Sequence, residues 1–226
     1  MTRNTKLSLV VVAVVAAVVG ILLVVNGTGR QAPSTEVASS AGSLPLEAQS
    51  LLVRPDSHRL TSAADGKVTV VEFLDLECEA CGAAFPGVEQ LRAEYGDRVT
   101  FVMRYFPIRS HRNAELAARA VEAAGRQGKL EPMYQLMYVN QPQWGDQQVS
   151  HRDTFLGFAR QLGLDMARFE SDLDSPEVAD RVRRDQADGT ALGVRGTPTF
   201  FINGSVFQGR PTYQGLKAAI DQELAR

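Results

Sequence analysis

The spacing of apolar and polar residues changes character several times along this chain, and each change marks a boundary. From Leu7 to Val25 almost every residue is apolar and none is charged, with Arg3 and Lys6 just ahead of the run. As a helix these 19 residues would reach about 28 Å, close to the ~30 Å hydrocarbon thickness of a bilayer. The run reads as a transmembrane signal-anchor over 7–25. Residues 1–6 would be cytoplasmic and everything after Val25 would lie outside the membrane. A cleaved signal peptide is the rival, but its apolar core is shorter, ~7–15 residues, and Asn26-Gly27-Thr28 offers no small-residue cleavage site. Over 26–50 the pattern dissolves into Gly, Ser, Ala, Thr and Pro, which cannot offset the entropy of ordering, so this stretch is expected to be a flexible linker.

A folded domain is expected over 51–226. Val68–Leu74 is a short, β-branched, nearly continuous apolar run, as suits a strand buried on both faces. From Glu79 to Tyr95 the residues Ala83, Ala84, Val88 and Leu91 recur at helical spacing, with Gly96 as the stop and Pro86 as an expected kink. Val99–Met103 is a second strand, which completes a βαβ unit. A helical insert follows at about 111–192. Asn113 caps its first helix, to Gln127, and Glu131–Asn140 is a second. Ser150 opens a capping-box-like start for a helix to Leu162, and Ser175-Pro176-Glu177 starts one to about Leu192. Thr199–Ile202 returns to strand character. Asn203-Gly204 turns it into Val206-Phe207-Gln208, and Thr212–Ala225 closes the chain as an amphipathic helix. The fold class is α/β: βαβ, a helical insertion, then ββα.

The formal net charge of −2 carries no basic surplus and gives no support to a nucleic-acid partner. The only two cysteines are Cys78 and Cys81, spaced Cys-Glu-Ala-Cys where the first strand feeds the first helix. There the first sulfur meets unpaired backbone N–H groups that favour its thiolate, the arrangement of a thiol–disulfide redox centre. An extracytoplasmic site is also where disulfides persist. Two other readings of the pair remain. A structural disulfide closing so small a loop would stabilise little. A zinc half-site would need further ligands, and His58, His111 and His151 fall at no recognisable spacing. No metal or cofactor is expected. Glu72 lies in the middle of the first strand, where a carboxylate is costly unless its proton has a use; the alternative is a partly exposed strand end. Asp75 and Glu77 read as nearer the surface and without a role. His111, Tyr134, Tyr138 and Trp144 could line a groove, but core packing is the leading reading.

Two segments carry a family resemblance: Val71-Glu72-Phe73-Leu74-Asp75-Leu76-Glu77-Cys78-Glu79-Ala80-Cys81, and Val194-Arg195-Gly196-Thr197-Pro198-Thr199-Phe200-Phe201-Ile202-Asn203-Gly204. Over Leu51–Arg226 the chain resembles a membrane-anchored member of the DsbA-like thiol–disulfide oxidoreductases, a thioredoxin fold with a helical insertion. The resemblance implies that Cys78 is the nucleophilic sulfur and that Cys81 resolves the mixed disulfide. It places Glu72 beneath Cys81, where it exchanges a proton, and makes Thr197-Pro198 a cis-proline loop whose backbone binds extended substrate peptide. The implied activity is introduction of disulfides into secreted or cell-envelope proteins. Its clients would be unfolded or reduced secreted polypeptides, and a membrane partner of the DsbB or vitamin-K-epoxide-reductase type would reoxidise it. A reductase or isomerase fed by a membrane electron donor is the alternative, and a peptide-binding holdase without redox turnover is a third. Strong oxidases of the family have Pro-His between the cysteines, where this chain has Glu79-Ala80. That change is expected to raise the Cys78 pKa and weaken the oxidant.

Overall fold

The computed structural model describes residues 46–226. The expected cytoplasmic N-terminus, the membrane anchor at 7–25 and the linker as far as residue 45 lie outside the described residues. Among the described residues no helix is long and apolar enough to cross a membrane. Residues 46–50, expected to belong to the linker, instead form most of a helix, α1 (Leu46–Leu52). The reason is tertiary: Leu52 is buried in the core, and the carbonyls of Leu51 and Leu52 each accept a 2.7 Å bond from the Arg104 guanidinium.

The apolar run after Lys67 forms β2 (Thr69–Leu74), the central strand of a five-stranded sheet in the order β1-β3-β2-β4-β5. Its parallel neighbour is β3 (Thr100–Tyr105), reached through α2 (Glu79–Tyr95), so the expected βαβ unit is present and α2 runs through Pro86. On the other side β4 (Thr199–Ile202) pairs antiparallel with β2. Asn203 and Gly204, both at positive φ, turn it into β5 (Ser205–Val206), shorter than the strand expected there. The edge strand β1 (His58–Arg59) pairs with β3.

Period-two alternation divides β2 between two cores. Val70 packs with Val88 and Leu91 of α2 and with Leu216 and Ile220 of α9 (Tyr213–Leu224). Val71 and Phe73 point the opposite way, to Val102, Phe106 and Phe201. Glu72 shares the parity of Val70 and therefore lies under α2.

The insert consists of α3 (Ala114–Gly125), α4 (Leu130–Val139), α5 (Gln141–Trp144), α6 (Arg152–Gln161), α7 (Met166–Asp174) and α8 (Pro176–Ala191). Ser175 caps α8 as expected, accepting from Val178 N at 3.2 Å. Asn113 sits at the start of α3, but its side chain serves a loop: the amide donates to the carbonyls of Gln147 and Val149 and accepts from His151 N. The box expected at Ser150 does not close, since α6 begins after His151, which makes no side-chain cap. The insert is tied to the sheet by buried charge. Arg104 of β3 pairs with Asp185 at 2.9 Å and Asp188 at 2.6 Å on α8.

Candidate active site

The turn Asp75-Leu76-Glu77 carries the chain from β2 to Cys78, which is the N-cap of α2 with extended backbone, φ −67° and ψ 119°. Cys81 lies one helical turn further in. Cys78 keeps 9% exposure and Cys81 none, and both are free thiols. The Cys78 Sγ lies 3.4 Å from the carbonyl oxygen of Thr197, to which it donates only while protonated, and the Thr197–Pro198 bond is cis, as expected. The Thr197 hydroxyl is buried with no other partner among the described residues and faces the same sulfur.

The environment splits the two thiols. A hydrogen bond from Cys81 is the largest influence on Cys78. Against the opposing effect of burial, this bond, Thr197 and the N–H groups of Cys81 and Ala80 lower the Cys78 pKa to about 5. Burial pushes Cys81 far the other way, aided by its bond to Cys78 and by the Glu72 charge. Glu79 and Ala80 were expected to raise Cys78 above the value of about 3.5 found in the strong oxidases; at about 5 it lies above that value and still well below an ordinary thiol. Glu79 is exposed and is not among the main groups acting on the sulfur.

Glu72 is 7% exposed and has no hydrogen-bond or ion-pair partner among the described residues. The strand-end alternative therefore falls. Burial first, then the charges of Glu89 and Cys78, raise its pKa to about 8, so the carboxyl can keep its proton near neutral pH.

Asp75 and Glu77 correct the sequence reading. They are 1% and 3% exposed and hold the turn in place. Asp75 accepts from Glu77 N and Ile108 N at 2.8 Å each and lies 2.7 Å from His111 Nδ1; Glu77 accepts from Asn113 N at 2.6 Å. Burial nonetheless outweighs these bonds and raises the Asp75 pKa. The partners come from the loop before α3, more than 30 residues downstream, so local sequence holds no sign of them.

Gln141 was missed altogether. Its buried amide donates to Leu76 O at 2.7 Å and Cys78 O at 2.9 Å, strapping the turn from α5. A signal existed in Gly82, directly after Cys81, because a Cβ there would stand 2.0 Å from Gln141 Oε1. Tyr134, Tyr138 and Trp144 are core residues, as expected, with Tyr134 and Tyr138 packed around Phe85. His111 is not a core residue: it lines a cavity of about 340 Å3 beside Cys78. Among the described residues no group of three or more His, Cys, Asp and Glu side chains is arranged to hold a metal ion. The arrangement suits thiol–disulfide exchange: an accessible sulfur held as thiolate, a buried one held as thiol, a proton-bearing carboxyl under the helix and an open backbone beside it.

Comparison with known proteins agrees. The family model described as Thioredoxin matches residues 58–222. The chain is 36% identical over 169 residues to the Na(+)/H(+) antiporter NhaA of Herminiimonas arsenicoxydans, which is 75% of this chain and 26% of that protein. It is 33% identical over 221 residues to Na(+)/H(+) antiporter NhaA 3 of Salinispora tropica, 96% of this chain and 32% of that protein. It thus spans about a quarter to a third of these curated relatives. Among solved structures it is similar to a thioredoxin-like oxidoreductase from Silicibacter pomeroyi, at 30% identity and TM-score 0.66, covering 79% of this chain and 98% of the other. It shares its fold with BdbD from Bacillus subtilis, at 23% identity and TM-score 0.64, covering 74% and 92% of the two chains. The thiol-disulfide exchange protein alpha-DsbA2 from Wolbachia pipientis is similar in fold at 20% identity and TM-score 0.66, covering 78% and 91%. The chain belongs to the thioredoxin family, alongside the thioredoxin-like oxidoreductase that it matches over nearly the whole of that protein.

Proposed function

We propose that this protein introduces disulfides into secreted or cell-envelope polypeptides from the outer face of a membrane, with Cys78 and Cys81 as the exchanging pair and the apolar run at 7–25 as the anchor. One observation carries the oxidising direction: the thiol at the helix entrance is acidic while its buried partner is not. A sulfur that is stable as a thiolate stabilises the reduced pair, so the disulfide draws electrons from client thiols.

In the disulfide form a client thiolate attacks Cys78 Sγ. The bond between Cys78 and Cys81 breaks, its electron pair passes to Cys81, and the high pKa of Cys81 makes it take a proton, for which Glu72 is the buried donor. A second client thiolate then attacks the client sulfur and expels Cys78 as thiolate. The client has lost two electrons and the pair has gained them. Thr197 and Pro198 present backbone beside Cys78 to which an extended client adds as a strand, which tolerates varied sequences. The reduced pair passes its electrons to a membrane partner of the DsbB or vitamin-K-epoxide-reductase type, a role inferred from the family.

Cys81→Ser removes the resolving thiol and is expected to trap envelope proteins on Cys78 as mixed disulfides. Alkylation of the wild type in cells is expected to find the pair mostly as disulfide. A pair found mostly as dithiol would overturn the oxidising direction in favour of a reductase or isomerase, and the absence of trapped clients would leave a peptide-binding module.

A further inference from the structure

Ala80 leaves the segment between the cysteines without a histidine, yet an imidazole borders Cys78 from elsewhere in the fold. His111 comes from the loop between β3 and α3, with about a third of its side chain exposed. Together with Glu77, Cys78, Glu79, Ala80 and Asp146 it lines one cavity. Its Nδ1 is held 2.7 Å from Oδ2 of the buried Asp75, and Asp75 is itself fixed by the N–H groups of Glu77 and Ile108. The ring cannot swing away without stripping a buried carboxylate of a partner. Nε2 has no partner among the described residues.

We propose that His111, held by Asp75, is a positioning residue for the redox reaction, its imidazolium supplying from outside the Cys-x-x-Cys segment a positive charge that favours the Cys78 thiolate. The other ionisable side chains facing the cavity among the described residues are the carboxyls of Glu77, Glu79 and Asp146, which would oppose a thiolate, so among the described residues His111 is the one cation lining it. Burial disfavours that cation, but the hydrogen bond and charge of Asp75, with Cys78 and Glu77 adding to them, outweigh burial and hold the His111 pKa above that of an ordinary imidazole. Cys81, Thr197 and the helix N–H groups act on Cys78 at closer range, so the share due to His111 is a modest part of the whole.

The proposal rests on Cys78 as the exchanging thiol and not on the direction of electron flow. Coupling between two charges is reciprocal, so the wild-type protein provides a first test. Titrated by NMR, the His111 imidazole is expected to have a higher pKa in the dithiol form, where Cys78 is a thiolate, than in the disulfide form. Equal values would overturn the proposal. His111→Gln keeps a donor for Asp75 and removes the charge. Followed by thiolate absorbance, its Cys78 pKa is expected to rise by about half a unit, a ~3-fold loss of thiolate below the pKa. Ala80→His in the same chain is expected to restore it, and an unchanged titration in His111→Gln would overturn the role. A wild-type protein that forms no mixed disulfide at all would sink the functional reading itself, whereas unchanged titrations with exchange intact would sink only the part played by His111.

Discussion

An unpaired carboxyl in the middle of β2 destabilises the fold wherever it ionises. The folded-state pKa of Glu72, about 8, lies above the ordinary value of 4.5, so between those pH values the folded chain binds more protons than the unfolded one. The contribution of Glu72 to stability is therefore complete below about pH 4.5 and is lost as pH rises toward 8. Measured by urea denaturation of the disulfide form, where no thiolate contributes, Glu72→Gln is expected to flatten that slope and to gain on the order of 3 kcal/mol at pH 7. The same substitution removes the proposed proton donor to Cys81, so stopped-flow reduction of the disulfide by a client peptide is expected to slow on the order of a hundredfold. A variant that gained stability and kept its rate would reduce Glu72 to a buried accident. The burial of Glu72 was legible because apolar residues flank it on both faces of one strand. Asp75 and Glu77 were not legible: the donors that make their burial tolerable, Ile108, His111 and Asn113, lie in another loop.

At the scale of elements, boundaries marked by local chemistry were readable. Ser175 ahead of Pro176, Asn203-Gly204 and Gly96 each mark an end through their own backbone or side chain. Elements that exist because of distant partners were not. Helix α1 depends on Arg104, and the start of α7 is tied to the Gln127 amide, which accepts from Asp165 N at 2.9 Å and donates to Asp165 O at 3.1 Å. Asn113 looked like a cap, and its amide is taken by loop carbonyls instead. The junction of α2 and α5 shows such dependence at its closest approach. In Gly82→Ala the new Cβ must displace the Gln141 amide, which breaks two bonds to the redox turn. The expected cost is about 1–3 kcal/mol by thermal or chemical denaturation. Because Gln141→Ala removes the colliding group, the two substitutions together should cost less than their sum; strict additivity would mean that Gly82 and Gln141 do not meet as described.

For the whole molecule, the order βαβ, helical insert, ββα could be read from periodicity and turn residues, and the redox pair from its spacing at a strand–helix junction. What the sequence could not convey is that the insert reaches back to grip the active-site turn at Asp75, Glu77 and Leu76–Cys78 through His111, Asn113 and Gln141. Those contacts depend on how helices pack, and nothing within a short window of residues encodes them. The grip fixes the turn on which the acidity of Cys78 depends, and that acidity sets how hard the pair oxidises. Strongly oxidising pairs have a first-cysteine pKa near about 3.5 and a potential near about −120 mV; reducing ones lie near about 7 and about −270 mV. A Cys78 pKa of about 5 falls between them. The central claim is tested most directly by equilibrating the pair with glutathione at pH 7 and measuring its reduction potential. The account predicts a value near about −180 mV, and a potential at or below about −270 mV would contradict it.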